Sequence, residues 1–451
     1  MSKTEQKGKT GADTEPSIWT SVFFSIIAVR FCITVISHCI TSGNPLYVEK
    51  IGAPAYFGGI LVASFMGASI LMRIVSGALV DVYSRKAVIF SGSLFVLGGS
   101  LVALFAPSLA FNVVACVLQG IGFSMMHTAV TSATADVLPK KRLGEGISYA
   151  ALGQALGMAI GPTLALWLIC FDFLNALALG TAVTATVAFI LGFAIRYERD
   201  PKKLPKTAGY RVAWEARQRA RAEVASAAQI LEEQQGTVSV QIDGSSSGAT
   251  ITTKSTQKKL DRLFEKRALR GALPMLLVGI GVASFFNYAA LFSKLMGYAN
   301  PSIFFICSAA ATIMIRLFFS RYFNTSNLRI LFLIPVVCGI ISFLGVCFIH
   351  NGLVFGFLGL GHGIGIGMAV PILNSVAVSS SPPARIGPAN ALFYLMYDMG
   401  TAIGALTWGF LYSIAGFTPV FIGAAICYSS AYVIALKTFP TTINEASSKF
   451  D

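Results

Sequence analysis

Long apolar stretches alternate with short polar ones along almost the whole chain. Six apolar stretches precede residue 197 and six follow residue 269, and each is close to the ~20 residues that a helix needs to cross a bilayer. Because the stretches are continuously apolar, they predict membrane-spanning helices, whereas strands of a membrane barrel would alternate apolar and polar residues. The predicted helices are 18–42, 54–76, 87–106, 110–135, 147–170, 172–196, 270–294, 301–322, 328–349, 352–378, 389–412 and 417–438.

The same pattern divides the chain into two six-helix bundles, an insert and two tails. The expected boundaries are a cytoplasmic tail at 1–17, a first bundle at 18–196, a cytoplasmic insert at 197–269, a second bundle at 270–438 and a cytoplasmic tail at 439–451. Within the insert, residues 211–235 predict a polar surface helix, and residues 237–253 predict either a small hairpin or a flexible loop. The insert is either a solvated linker or a segment whose Arg and Lys side chains have a regulatory or lipid-headgroup role.

Composition supports an all-helical membrane protein. Hydrophobic residues make up 55% of the chain and charged residues 12%, which is too apolar for a soluble protein. The net charge of +14 could suggest a nucleic-acid partner, but 16 of the 34 Lys and Arg lie between residues 196 and 270. A cytoplasmic amino terminus places 29 of the 34 on the cytoplasmic side, as the positive-inside rule predicts for a cell membrane, inner or plasma. The charge therefore indicates orientation and argues against nucleic-acid binding.

The two halves of the chain repeat one another when one is shifted by 243 positions, a shift that we call the repeat offset. The sequence "GIGF" at 120–123 aligns with "GIGI" at 363–366, and Arg73 aligns with Arg316. The same shift pairs Arg142 with Arg385, Gly144 with Gly387, Gly157 with Gly400 and Gly161 with Gly404. One constant shift through several helices predicts two six-helix pseudo-repeats.

A charged stretch, "GALVDVYSRK" at 77–86, joins the second and third predicted helices. Twelve helices in two halves with this loop resemble the major facilitator superfamily of transporters, whose loop pattern the stretch follows except at Val82 and Ser84. The resemblance implies that the loop is a cytoplasmic gate. A carboxylate at the end of a helix can face the positive amino end of a neighbouring helix, and an arginine nearby can pair with an acid at the end of the fourth helix. The gating residues expected on this basis are Gly77, Asp81, Arg85, Lys86 and Asp136.

The fifth predicted helix carries glycines four residues apart, which line one face and allow another helix to approach closely. The stretch "GQALGMAIGPTLAL" resembles the signature that family exporters carry in this helix, although Ala165 and Leu166 replace its closing glycines. Either ordinary small-residue packing or an exporter signature accounts for it. The expected packing residues are Gly153, Gly157, Gly161, Pro162, Gly400 and Gly404.

Polar residues inside the apolar stretches are the candidate ligands, since charge within a membrane is tolerated mainly where it faces water or a partner. The resemblance implies that helices 1, 4, 7 and 10 line a central cavity. Asp398 is the one carboxylate deep inside a predicted helix, and we expect it to carry a proton while Arg30 approaches and leaves it; a static pair of the two is the alternative. The substrate-binding candidates are Arg30, Gln119, Asn287, Tyr288 and His362.

The sequence therefore predicts a secondary active transporter of a small solute that works by alternating access. Proton-coupled efflux by antiport is the first expectation, and proton-linked uptake of an organic anion or polar metabolite is the main alternative. A lipid flippase and a non-transporting membrane sensor are further alternatives. We expect no enzyme activity, no cofactor and no metal site, with the solute, the proton and membrane lipids as partners and a monomer as the working assumption.

Overall fold

The structure is a computed structural model that describes most of residues 18–440. Gaps fall at 83, 106–107, 139–141, 172–174, 299, 319–326, 349–350 and 383–384. Of the insert, it describes residues 198, 200 and 204, a set of positions between 210 and 226, and the chain from 265 onward. Residues 1–17 and 441–451, the possible hairpin at 237–253 and most of the expected helix at 211–235 lie outside the described residues.

The first half of the described chain forms helices close to the predicted ones. They are α1 (Ser21–Lys50), α2 (Tyr56–Val82), α3 (Arg85–Phe105), α4 (Leu109–Val137), α5 (Leu143–Ile169) and α6 (Ala176–Gly192). The largest difference is that α1 extends past its predicted end at residue 42 to Lys50 and includes Pro45. Because α2 continues to Val82, Asp81 belongs to a helix and not to a loop.

The second half begins with a short 3-10 turn, Lys266–Ala268, which leads directly into the seventh helix. The helices are α7 (Leu269–Leu295), α8 (Ser302–Phe318), α9 (Leu328–Phe348), α10 (Gly352–Ser379), α11 (Ile386–Ala415) and α12 (Phe417–Thr438). Several helices start at a polar cap: the side chains of Thr20, Ser108 and Asn351 accept hydrogen bonds from backbone N–H groups of α1, α4 and α10. Such caps satisfy donors that the helix itself leaves free.

Nine of the helices in the described residues are long and apolar enough to cross a membrane: α1 to α5, α7, α9, α10 and α12. Two more, α6 and α8, are apolar but have 17 residues each. The 30-residue helix α11, which contains Asp398, is not among the nine. The protein is therefore built from apolar helices, most of which have membrane-spanning length.

Helices α1–α6 pack mainly on one another, and so do α7–α12; we call them the N-terminal group and the C-terminal group. Glycines let helices touch at equivalent places in both. A Cβ atom on Gly120 would collide with the carbonyl oxygen of Phe65, and one on Gly363 would collide with that of Ser308. The two glycines are related by the repeat offset, and so are the two residues that they contact. Close backbone contact thus requires glycine at the same place in each group.

The two groups meet along three pairs of helices: α2 with α11, α5 with α8, and α1 with α7. We call the end of the molecule where α6 ends and α7 begins the insert end, and the opposite end the far end. At the far end Ser42 donates a hydrogen bond to the carbonyl oxygen of Phe286, and a Cβ on Gly59 would lie 2.5 Å from the carbonyl oxygen of Ala405. Over the described residues, α4 and α10 make no comparable contact. The groups are therefore packed tightly at the far end.

Candidate substrate and proton site

Four charged side chains lie between the two groups, each in the part of its helix nearer the insert end. Arg30 comes from α1, Arg73 from α2, Arg316 from α8 and Asp398 from α11. We call these four residues the central charged cluster. Charge within apolar helices is costly unless it is paired or faces water. The cluster is therefore the main candidate for chemistry in the membrane part of the protein.

Arg73 and Asp398 form an ion pair that joins the two groups. An Arg73 guanidinium nitrogen lies 2.6 Å from a carboxylate oxygen of Asp398, and the two side chains are 17% and 10% exposed. The sequence led us to expect Arg30 as the partner of this carboxylate. The structure corrects that expectation: the arginine comes from α2, which packs directly along α11.

Arg30 contacts neutral groups within the N-terminal group. Its guanidinium donates to the hydroxyl of Thr131 at 3.3 Å and to the side-chain oxygen of Gln154 at 3.2 Å. Among the described residues its buried Nε atom has no hydrogen-bond partner, and its guanidinium forms no ion pair. Since a buried donor without a partner costs free energy, Arg30 is suited to bind a further ligand.

Arg316 reaches from α8 across to the other group. It donates to the backbone carbonyl oxygen of Ala151 in α5 at 2.9 Å, and in the described residues it forms no ion pair. Arg30, Arg316 and the phenol of Tyr394 are near enough to interact electrostatically. Three arginines and one aspartate leave the cluster with two excess positive charges.

A second ion pair lies at the insert end, between Arg85 at the start of α3 and Asp136 near the end of α4. The distance is 3.0 Å, and the side chains are only 3% and 2% exposed. The backbone N–H of Tyr210, in the insert, donates to the other Asp136 oxygen at 3.1 Å, and the Tyr210 ring centre lies 5.0 Å from the Arg85 guanidinium carbon. The insert therefore covers this pair.

The start of α3 is held by another residue of the insert. The carboxylate of Glu198 accepts from the backbone N–H of Arg85 at 2.5 Å and from that of Lys86 at 3.4 Å. Burial raises the pKa of Glu198 above its ordinary value, and the hydrogen bonds to Arg85 and Lys86 oppose that rise. The carboxylate thus caps a helix start, where negative charge is favourable.

These contacts change the interpretation of the expected gate. Arg85, Asp136, Glu198 and Tyr210 all belong to the N-terminal group or to the insert that follows it, so the pair does not depend on the C-terminal group. The expected pairing of Arg85 with Asp136 is present, and both partners belong to one group; the gating role of the pair stays a prediction.

The remaining residues of the expected gate lie around this pair. The ammonium of Lys86 lies over the rings of Phe90 and Phe193. Gly77 lies within α2, and the side chain of Asp81 is outside the described residues. The gating role of these three residues stays a prediction.

Gln119 and His362 are buried, and each is bonded inside its own group. Gln119 donates to the hydroxyl of Ser100 at 3.0 Å and lines a cavity of about 30 Å³ between α1, α3, α4 and α6. The Nδ1 atom of His362 lies 2.9 Å from the hydroxyl of Ser308. The ring of Phe286 lies against the rings of both His362 and His38. The structure does not bring Gln119 or His362 to the central charged cluster.

The two candidates on α7 lie nearer the far end. Tyr288 is fully buried, and its hydroxyl donates to the carbonyl oxygen of Ala405 at 3.4 Å. Asn287 is 2% exposed, and its amide nitrogen has no hydrogen-bond partner among the described residues. Tyr288 therefore belongs to the packed region between α7 and α11, whereas Asn287 keeps a donor available.

The glycines of α5 and α11 serve helix packing in equivalent ways. Gly153, Gly157 and Gly161 face α1, and Gly400 and Gly404 face α7. A Cβ atom on Gly157 would lie 3.0 Å from the carbonyl oxygen of Phe31, and one on Gly400 would collide with that of Leu276. Pro162 lies inside α5. These contacts are within each group, so they give no support to an export role.

Comparison with protein families decides the identity of the chain. The model of the Major Facilitator Superfamily matches residues 19–405. The chain belongs to the Major Facilitator Superfamily. The family and the curated relatives are transporters and not enzymes.

Curated relatives match over shorter stretches. An uncharacterized MFS-type transporter of Methanocaldococcus jannaschii is 26% identical over 145 residues, which are 32% of this chain and 36% of the relative. The MFS-type transporter ppz2 of Metarhizium majus is 24% identical over 152 residues, 31% of this chain and 25% of the relative. The matched stretch thus spans well under half the length of these relatives.

Solved structures share the fold over nearly the full length. A peptide transporter POT in complex with sulfate has a TM-score of 0.65 at 16% identity, and the match covers 97% of both chains. A mutant of the nucleoside transporter NupG has a TM-score of 0.63 at 13% identity, and the match covers 93% of this chain and 100% of that chain. At these identities the likeness establishes the superfamily fold.

Several residues of the site were not predicted as ligands. Arg73 and Arg316 stood out in the sequence as partners at the repeat offset, and their charge inside apolar stretches was the available signal. Thr131 and Gln154 carry no such signal, because a neutral polar residue in a membrane helix is common. Glu198 lies in the insert, where sequence alone does not indicate which side chain contacts the helices.

Proposed function

We propose that this superfamily member is a secondary active transporter that moves a small solute by alternating access and couples to protons through Asp398. In this proposal twelve helices cross the membrane as two six-helix repeats. The matching glycine contacts of Gly120 and Gly363, whose partners share the repeat offset, support the two repeats. The tight far end and the separation of α4 from α10 support a conformation open toward the insert end.

The observation that carries the coupling is the ion pair between Arg73 and Asp398. It joins α2 to α11, where the two groups meet, so the distance between the two side chains must change when the groups move relative to each other. Protonation of Asp398 removes its charge and the attraction to Arg73. One proton can thereby shift the balance between two arrangements of the groups, because the two arrangements bind it differently.

The charge of the cluster favours symport over antiport. When Asp398 is protonated, Arg73 joins Arg30 and Arg316 as a cation without a carboxylate partner among the residues that the structure describes. A negatively charged solute then binds better with the proton than without it, and linkage makes the preference mutual. Antiport requires instead that binding of the proton and binding of the solute exclude each other. Uptake together with protons is therefore proposed ahead of efflux, whose support in the sequence came from the α5 glycines that pack on α1.

The test measures the distance between the groups and needs no solute. Spin labels at Ala87→Cys in α3 and Arg270→Cys in α7, both exposed positions at the insert end, are introduced without other reactive cysteines. In nanodiscs, the distance distribution is expected to shift between about pH 8 and about pH 5.5, where a buried carboxylate can titrate. Asp398→Asn should show the acidic distribution at both pH values.

A matched control uses the pair that lies inside one group. Asp136→Asn, if it remains folded, should keep the pH response of the parent, because Asp136 does not join the groups. A distribution that does not depend on pH, or an Asp398→Asn variant that responds like the parent, would show that Asp398 is not the coupling residue. Proton-driven accumulation in proteoliposomes then measures the transport itself.

We also propose that the termini and the insert are cytoplasmic in a cell membrane, inner or plasma. The 16 Lys and Arg between residues 196 and 270 support this orientation. A single cysteine introduced as Ser245→Cys should resist membrane-impermeant thiol reagents in intact cells and react after permeabilisation. Rapid labelling in intact cells would reverse the orientation.

A further inference from the structure

We propose that Arg30 and Arg316 form a two-sided anion-binding subsite, in which a carboxylate or phosphate group of the solute is held by one arginine from each helix group. This inference rests on the proposed transport function and names the class of its substrate. It assigns a binding role to Arg316, which the sequence had indicated only as a repeat position.

The first argument is an asymmetry between two repeat-related arginines. Arg73 and Arg316 are related by the repeat offset, and each reaches from its own group to the other one. Arg73 meets the carboxylate of Asp398. At the position in α5 that corresponds to Asp398 stands Ala155, and Arg316 donates to the backbone of Ala151, one turn away. The second arginine therefore lacks the acid that neutralises the first.

The second argument concerns the hydrogen bonds of Arg30. Its contacts are two neutral oxygens at 3.2 and 3.3 Å, and among the described residues its buried Nε is without a partner. A guanidinium offers five donors in a fixed plane and is matched by the two oxygens of a carboxylate or phosphate. Arg30 thus keeps an unused donor in a partly buried position between the helices.

The third argument is the proximity of the two arginines. Arg30 and Arg316 interact electrostatically with one another and with the phenol of Tyr394. Two like charges between partly buried helices repel each other, and in the described contacts neutral groups are their only hydrogen-bond partners. An anion between them offsets the repulsion and supplies a charged partner to both. Because one arginine comes from α1 and the other from α8, the anion also joins the two groups, as the pair of Asp398 and Arg73 does between α11 and α2.

The experiment compares anions with neutral molecules of similar shape. Purified protein is titrated with succinate against succinamide, and with glycerol 3-phosphate against glycerol, while thermal unfolding is followed at constant ionic strength. We expect at least one anion to bind at a concentration about tenfold or more below its neutral counterpart, since charge-assisted hydrogen bonds exceed neutral ones in strength. The two arms distinguish a carboxylate from a phosphate substrate.

Variants then locate the binding. Arg30→Gln and Arg316→Gln should each weaken anion binding by about tenfold or more. Ala155→Asp should weaken it to a similar extent, because the new carboxylate can pair with Arg316 in place of the anion. The matched controls are Ala155→Asn, which adds a similar volume without charge, and Arg329→Gln, which removes an arginine bonded to Phe439 outside the cluster. Both controls should bind as the parent does.

The inference is overturned if neither anion binds better than its neutral counterpart, or if the preference survives Arg316→Gln in a folded protein. Should Ala155→Asp not fold, Arg316→Gln alone decides. The spin-label experiment uses no solute, so its outcome is independent: a pH-driven change in distance without anion binding would retain the proposed function and reject this substrate class.

Discussion

Two buried ion pairs in the described part of the protein differ in what surrounds them. Arg85 and Asp136 lie inside one helix group, are 3% and 2% exposed, and are covered by Tyr210 of the insert. Arg73 and Asp398 lie between the groups, are 17% and 10% exposed, and share the central charged cluster with two further arginines. The first pair involves a single group, whereas the second involves both groups.

The difference shows that a charged motif in a membrane protein is not necessarily a moving part. The charges of the loop at 77–86 attract attention in the sequence, yet the described contacts of Arg85 hold α3, α4 and the insert together. Arg73 and Asp398 lie in different halves of the chain and belong to no shared motif. The pair that joins the two groups is thus the one that a local pattern cannot reveal.

The largest expected effect is on stability, from Asp136→Ala. This change leaves the Arg85 guanidinium and the backbone N–H of Tyr210 buried without this acceptor. Loss of one partner of such a pair costs about 3–5 kcal/mol. Thermal unfolding in detergent should show a large decrease in midpoint. A decrease no larger than that of an exposed control would mean that the pair is solvated and not buried.

Tyr210→Ala should have an intermediate effect. It removes the ring that lies over Arg85 but keeps the backbone N–H that bonds Asp136, so we expect a loss of about 1–2 kcal/mol. Tyr210→Phe keeps the ring and is the matched control, which should unfold at the midpoint of the parent. If the two variants unfold alike, the insert does not stabilise the pair through the aromatic ring.

A smaller loss is expected from Asp398→Asn. A pair that opens in every transport cycle, as we propose for Arg73 and Asp398, can add little to the stability of either arrangement, so the free energy of unfolding should fall by about 1 kcal/mol or less. The pH response of the distance between the groups should nevertheless disappear. A stability loss comparable to that of Asp136→Ala would instead identify a static pair that fastens α2 to α11.

The smallest effect concerns Glu198 and pH. Burial raises the pKa of this carboxyl in the folded protein, so the folded state binds the proton more tightly than the unfolded state does. Its contribution to stability is then present at low pH and is lost as the pH rises through the raised folded pKa. Glu198→Gln should reduce the pH dependence of the thermal unfolding midpoint in that pH interval. An unchanged pH profile would show that Glu198 is solvated.

Sequence patterns predicted the helices well, because continuous apolar runs leave the backbone few alternatives in lipid. The end of α1 was missed, since Asn44 and Pro45 interrupt the apolar pattern although the helix continues to Lys50. The pattern also indicated which residues allow close helix contact: Gly157 and Gly400 face a neighbouring backbone, as their spacing predicts.

The site was harder to predict, because it depends on which side of a helix a residue occupies. Asp398 and Arg30 were recognised from the cost of burying charge, but the partner of Asp398 was not. Gln119 and His362 occupy repeat-related positions, yet their side chains bond to serines inside their own groups. Helical spacing does not distinguish a side chain that faces a cavity from one that faces the next helix.

The two ends of the insert contact different helix groups, and this has a practical consequence. Its beginning contacts the N-terminal group through Glu198, and its end contacts the C-terminal group through Glu265, which lies 3.1 Å from Arg385. The long segment between these two attachments is a natural place for a genetically encoded sensor. Two fluorescent domains inserted there, one near each attachment, would report any relative motion of the two groups as a change of colour in a living cell.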